Sequence, residues 1–166
     1  MIVILLLLVF GCMVVEARRA ARNEGLQRAR GGIEPPDDVY KVMRVVYPTA
    51  FVAMFAEGLA RGTPSPGLVV AGAATFAGAK ALKWWAIRSL GPSWTFRVLV
   101  VPGAPLVAAG PYRWIRHPNY VGVMGELIGV AAMTRALLSG TFAVIVFAAL
   151  LIRRIAVEER TLHRRL

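Results

Sequence analysis

Cysteine is nearly absent: the 166-residue chain holds one, Cys12, inside its first apolar run. A single thiol excludes an internal disulfide and any thiolate pair for a metal, so no metal site is expected. Acidic residues are also scarce, nine against twenty lysines and arginines, for a formal net charge of +11. The basic residues fall between long apolar runs and form no single patch or groove motif. This argues against nucleic acid and for anionic lipid head groups as the counter-charge. Only 17% of the residues are charged, against 57% hydrophobic, with a mean hydropathy of +0.60. The chain is too apolar for an average soluble domain and too short for a large transporter, which leaves one compact membrane domain over residues 1–166. No repeat or low-complexity tract is present.

Five apolar segments stand out: Ile2 to Val15, Val45 to Ala60, Leu68 to Ile87, Tyr120 to Met133 and Leu137 to Ile152. They predict an all-α integral membrane protein with about five transmembrane helices, although about 20 residues usually cross a bilayer and several of these runs are shorter. The first run has no basic residue before it and no small-x-small cleavage site, so it reads as a retained helix with a basic extension. The last two runs are separated only by Thr134-Arg135, which predicts a helical hairpin turning at Leu138-Ser139-Gly140. One long helix would instead leave Arg135 near the middle of the membrane.

Orientation follows from the basic residues. With the N-terminus outside, the inner face takes Arg18 to Arg44, Lys80 to Arg116 and Arg153 to Arg165, leaving only Arg61 and Arg135 outside. The positive-inside rule then assigns the segment Gly110–Gly122 and the C-terminal tail to one cytoplasmic face.

Gly110-Pro-Tyr-Arg-Trp-Ile-Arg-His-Pro-Asn-Tyr-Val-Gly122 gathers an imidazole, two guanidiniums and two phenols at the edge of an apolar helix. Pro118 suits a first helical turn, where its missing N–H costs nothing, so a helix is expected to open around His117 to Asn119. Such an end attracts anions, and Arg116 beside it strengthens the attraction. The plainer reading is an interfacial anchor, with Tyr112, Trp114 and Tyr120 as an aromatic belt and Arg113 and Arg116 on lipid phosphate. Further along, Gly122, Gly125, Gly129 and Ala132 form a small-residue face for a close helix partner. Glu126 lies one turn past Gly122 and must face a partner or a wet cavity, as must Glu57 unless it reaches the interface. In the tail, Arg154 and Glu158 lie at i, i+4 on one helix face, most simply a solvated ion pair.

Gly110-Pro-Tyr112, Arg116-His-Pro-Asn-Tyr120, Gly122, Arg154-Ile-Ala-Val-Glu-Glu159 and Leu162, with Trp85 to Gly91 and Trp94 upstream, give the chain its likeness to a known family. It resembles the isoprenylcysteine carboxyl methyltransferases, integral-membrane enzymes that use S-adenosylmethionine. The resemblance implies a cytoplasmic cofactor pocket lined by Tyr112, Arg116, His117, Pro118, Tyr120 and Gly122, with Glu158 and Glu159 on the cofactor's amino or ribose groups. Arg153 or Arg154 would hold an anionic substrate oxygen, and Glu126 or His117 would serve as base where one is needed. The implied reaction is an in-line attack of a substrate oxygen on the cofactor methyl, driven mainly by positioning in a dry pocket. The compact length and Leu90-Gly91 before Trp94 resemble the small bacterial branch that methylates alkylpyrone or alkylphenolic lipids. An isoprenylcysteine substrate is the alternative, and a non-catalytic membrane binding or scaffold protein is the alternative of another class. Oligomeric state is open.

Overall fold

The helix ends follow from local chemistry. A computed structural model describes residues 2–163, which form five helices: α1 (Ile2–Ala29), α2 (Tyr40–Arg61), α3 (Pro66–Leu90), α4 (Pro118–Thr134) and α5 (Leu137–His163). Ser65 opens α3 by accepting a hydrogen bond from the Leu68 amide at 3.4 Å, with Pro66 in the first turn. Asp38 accepts from the Tyr40 amide at 3.0 Å at the start of α2. No strand occurs among the described residues. The extended run after Trp94 makes only a single antiparallel bridge, between Val100 and Ile33.

The hairpin turn is not at Leu138-Ser139-Gly140. Helix α4 ends at Thr134, Arg135 takes the left-handed conformation at φ 55°, and α5 has begun by Leu137. Gly140 serves packing instead, since a Cβ there would lie 2.5 Å from that of Ala131. Arg135 is therefore in a turn at the end of the bundle, not midway along a span. Glu57 of α2 accepts from the Leu138 amide at 3.0 Å and from the Ser139 amide at 2.7 Å, which caps α5 from a neighbouring helix.

Helices α2 and α5 meet the length and apolarity needed to cross a membrane on their own. The others fall short for visible reasons: α1 carries a charged second half, α3 carries Lys80 and Lys83, and α4 has 17 residues and includes Glu126. Large apolar side chains such as Ile4, Leu7, Phe142, Ile145 and Ile152 point outward on the bundle. Such a surface suits lipid rather than water.

The closest pairing is between α3 and α4, which run antiparallel. A Cβ on Gly129 would come within 2.8 Å of the Gly72 carbonyl oxygen and the Phe76 nitrogen, so the glycine face predicted on α4 is where α3 lies. Phe51, Met54, Phe76, Leu127, Val130 and Phe147 fill the core around this seam. Gly129→Val is expected to force the pair apart and to cost about 1–3 kcal/mol or more, as overpacking does. A lowered unfolding midpoint in detergent, with helicity retained at low temperature, is the result to look for.

Both the α2–α3 turn and the α4–α5 turn lie at one end of the bundle. The opposite end collects the second half of α1, the loop 30–39, the connector 91–117, the start of α4 and the tail of α5. The candidate residues are at that second end.

Candidate functional site

Gly110 anchors the hinge. Its φ is 60°, and a Cβ there would collide with Ser89 and lie 3.1 Å from Trp85 Nε1, so the backbone is pressed against α3 where only glycine fits. A 3-10 turn over Gly110–Arg113 then leads to His117, the cap residue of α4, and to Pro118 in its first turn, as the sequence predicts.

Helix α4 thus presents His117 and Tyr120 on one face, their rings stacked with centroids 5.3 Å apart and an interplanar angle of 11°. The α5 tail lies across them. Tyr120 donates to Glu158 Oε2 at 2.7 Å, while His117 Nε2 and Arg116 Nη1 each approach Glu159 Oε1 at 3.5 Å. Tyr112 lies close enough to Glu158 to feel its charge. Burial, and secondarily the charge of Glu158, push its phenol well above the ordinary value, so it is a neutral donor at physiological pH.

Arg154 and Glu158 do not form the solvated pair that their spacing suggests. Arg154 is buried and its guanidinium is fully engaged: Nε donates to Tyr120 Oη at 2.9 Å, Nη1 to Asp38 Oδ1 at 3.3 Å and Nη2 to the Phe96 carbonyl at 2.5 Å. Asp38 Oδ2 in turn accepts from the Val98 amide at 2.8 Å. The tail, the start of α4, the loop before α2 and the connector are thereby joined at one arginine. Asp38 was not foreseen, and no local signal marks it, because its partner is 116 residues away. Arg153 points outward and is exposed.

The same loop is clamped a second time. Glu34 accepts from Arg97 at 2.6 Å and from Arg28 at 2.5 Å. Burial alone would raise the pKa of Glu34, but the hydrogen bonds and charges of the two arginines outweigh it and lower it below 4.5. A lowered folded-state pKa stabilises the clamp above the unfolded value and releases it as pH falls through the folded one. Amide exchange at Ile33 and Val100, corrected for intrinsic rate, is expected to quicken only once the pH falls below the range in which an ordinary glutamate titrates.

Glu126 and Gly122 are directed elsewhere. Glu126 is 1% exposed and faces α3 and α2, with Lys80 Nζ at 2.9 Å, Lys83 Nζ at 3.1 Å and the Tyr47 hydroxyl donating at 2.7 Å. Both lysines also pair with Glu16 of α1 at 2.7 Å. Two carboxylates and two ammoniums thus neutralise one another inside the bundle. Lys80 and Lys83, assigned from the sequence to the cytoplasmic face, instead turn inward; their signal was the spacing of three within an otherwise apolar run. Gly122 packs beneath Lys83, where a Cβ would lie 2.9 Å from the lysine Cβ. Of the expected cofactor residues, Arg116, His117, Tyr120, Glu158 and Glu159 form one cluster. Tyr112 borders it, and Pro118 is buried beneath.

This arrangement accompanies a family match. The family model described as the isoprenylcysteine carboxyl methyltransferase (ICMT) family matches residues 72–164. The chain belongs to this family. As an ICMT family member it is a membrane methyltransferase, and the matched region includes every residue of the His117–Glu159 cluster. Among relatives, the uncharacterized protein YpbQ of Bacillus subtilis (strain 168) is 31% identical over 144 residues, 87% of this chain and 86% of that protein. No solved structure matches. The family match begins inside α3, so Glu16, Asp38 and Tyr47, which tie α1, α2 and the intervening loop to the matched region, lie outside it.

Proposed function

We propose that the chain transfers a methyl group from S-adenosylmethionine to an oxygen of a lipophilic substrate at the membrane, with alkylpyrone or alkylphenolic lipids as the substrate class. The observation that carries this reading is the meeting of Glu158 and Glu159 with His117, Tyr120 and Arg116 at the start of α4. The donor set suits the cofactor. Carboxylates satisfy an ammonium and ribose hydroxyls, the free amides opening α4 take a carboxylate, and a stacked ring pair tolerates a sulfonium. When bound, the cofactor supplies an electrophilic methyl group. The chain's own task is to hold the cofactor's charged ends and to keep the reacting oxygen aligned and dry.

Glu126 is committed to two lysines, which leaves His117 as the base within reach of the cluster. An enolic hydroxypyrone needs none, being anionic near neutral pH. The family description favours a second substrate, an isoprenylcysteine carboxylate, which is also anionic without a base. Radiolabelled methyl transfer into an alkylpyrone, an alkylphenol and a prenylcysteine analogue separates these readings. The scarcity of basic residues at the far end of the bundle supports an inner-membrane orientation with the N-terminus outside and the cluster in the cytoplasm.

Calorimetry with S-adenosylhomocysteine tests the cofactor assignment. Glu159→Ala removes one charged contact and is expected to weaken binding roughly 10- to 100-fold, the effect of about 1.5–3 kcal/mol. The unfolding midpoint should change little, because the side chain is part-exposed. Unaltered affinity in a folded Glu159→Ala protein contradicts the assignment. No binding by the wild type contradicts the S-adenosylmethionine reading.

A further inference from the structure

We propose that the hinge tip Arg113-Trp114-Ile115-Arg116 is a docking site for the head group of an anionic phospholipid, and that lipid bound there raises cofactor affinity by competing with Glu159 for Arg116. The docking half stands on the surface of the chain alone; the coupling half rests on the cofactor reading above.

Trp94 is 2% exposed, whereas Trp114 is 71% exposed and Ile115 37%. Trp114 packs at a tilt against Trp85 of α3, with ring centroids 5.9 Å apart and planes 54° apart, and Trp85 is itself half exposed. The Arg113 guanidinium lies over the Trp114 ring at 5.6 Å, and the Arg116 side chain is 79% exposed. An outward apolar pair flanked by two guanidiniums fits the boundary between acyl chains and phosphates. The tip's own charges are all positive, since no acidic residue occurs in the chain between Glu57 and Glu126, and the carboxylate it meets is Glu159 of the tail.

The tip is also fixed in place. Gly110 is pressed on Ser89 and Trp85, and the Ile115 amide donates to the Pro111 carbonyl at 3.0 Å. Exposed Trp85 and the outward side chains Val121 and Ile128 of α4 continue the apolar surface from the tip along the bundle. That continuity favours lipid over a soluble protein as the occupant. Arg116 links this surface to the site. Its Nη1 lies 3.5 Å from Glu159 Oε1, the oxygen that His117 also approaches. A phosphate that engages Arg116 draws its guanidinium away from Glu159 and makes the carboxylate a better partner for a cofactor ammonium.

The test compares protein in nanodiscs of phosphatidylcholine alone with nanodiscs containing phosphatidylglycerol. S-adenosylhomocysteine should bind about five-fold tighter in the anionic discs, the effect of roughly one basic residue at a charged surface. R113Q/W114A, and R113Q alone, should lose most of that gain while keeping the affinity seen in phosphatidylcholine. R18Q/R22Q, which removes two exposed charges from α1, should keep the gain. Equal affinity in both discs, an undiminished gain in R113Q/W114A, or an equal loss in R18Q/R22Q overturns the coupling. Spin-labelled phosphatidylglycerol supplies an independent readout. Its preference over spin-labelled phosphatidylcholine should fall in R113Q/W114A, and an unchanged preference overturns the docking site. Failure of S-adenosylhomocysteine to bind in any bilayer refutes the cofactor reading and the coupling, while the spin-label result still decides the docking site.

Discussion

Arg154→Ala is expected to abolish methyl transfer and to lower stability by about 3–5 kcal/mol, the usual cost of stripping one partner from a buried charge pair. The loss has two parts. Asp38, with a side chain only 3% exposed, keeps its amide donors but loses its cation. Tyr120 loses the donor that orients its hydroxyl toward Glu158. Arg154→Lys should recover part of the stability and little of the cofactor affinity. An ammonium is a single point, and the arginine serves three acceptors in different directions through one planar fork. The family resemblance offered Arg153 or Arg154 as a holder of substrate oxygen. The three protein partners of Arg154 recast it as a positioning residue, and Asp38→Asn tells the two roles apart. If Arg154 works through the clamp, Asp38→Asn should weaken S-adenosylhomocysteine binding as well. If Arg154 grips substrate, it should leave that binding untouched. Arg153→Ala, at an exposed position, should fall within about 0.5 kcal/mol of wild type.

The parts of this fold that were legible in the sequence depend on neighbours in the chain. Apolar runs marked all five helices, Pro118 marked where α4 opens, and the glycine spacing on α4 marked the face that meets α3. The hinge and the Glu158-Glu159 tail were each readable as motifs, and placing basic residues on one side brought them to the same end of the bundle. What stayed hidden depends on distant partners. Asp38 sits in a charged loop like many others, and only the fold shows that it reaches Arg154. Gly140 reads as a turn residue, yet Arg135 adopts the left-handed conformation while Gly140 lets α5 approach Ala131. Lys80 and Lys83 read as interfacial by charge, yet Glu16 and Glu126 draw them inside. Glu126 was correctly expected to need a partner; that the partner was a lysine pair rather than a substrate could not be read from spacing.

Glu126→Ala leaves Lys80 and Lys83, with side chains 12% and 3% exposed, facing Glu16 alone. An unbalanced buried ammonium should cost about 3–5 kcal/mol and sharply lower the unfolding midpoint in detergent. Restoring neutrality should reverse most of this: Glu126→Ala combined with Lys83→Met removes one charge of each sign and keeps the Glu16–Lys80 pair at 2.7 Å. Replacing both ion pairs by apolar residues of similar volume should come close to wild-type stability, because desolvation offsets most of what buried pairs contribute. Activity then separates two roles for Glu126. As part of a buried charge balance, its loss is repaired by the compensating change, and the double variant should regain methyl transfer along with its midpoint. A double variant that is stable and inactive would instead identify Glu126 as the base that the sequence suggested. The first outcome is expected, because both oxygens of Glu126 face lysines in a region 1% exposed, whereas His117 and Glu159 lie at the start of α4.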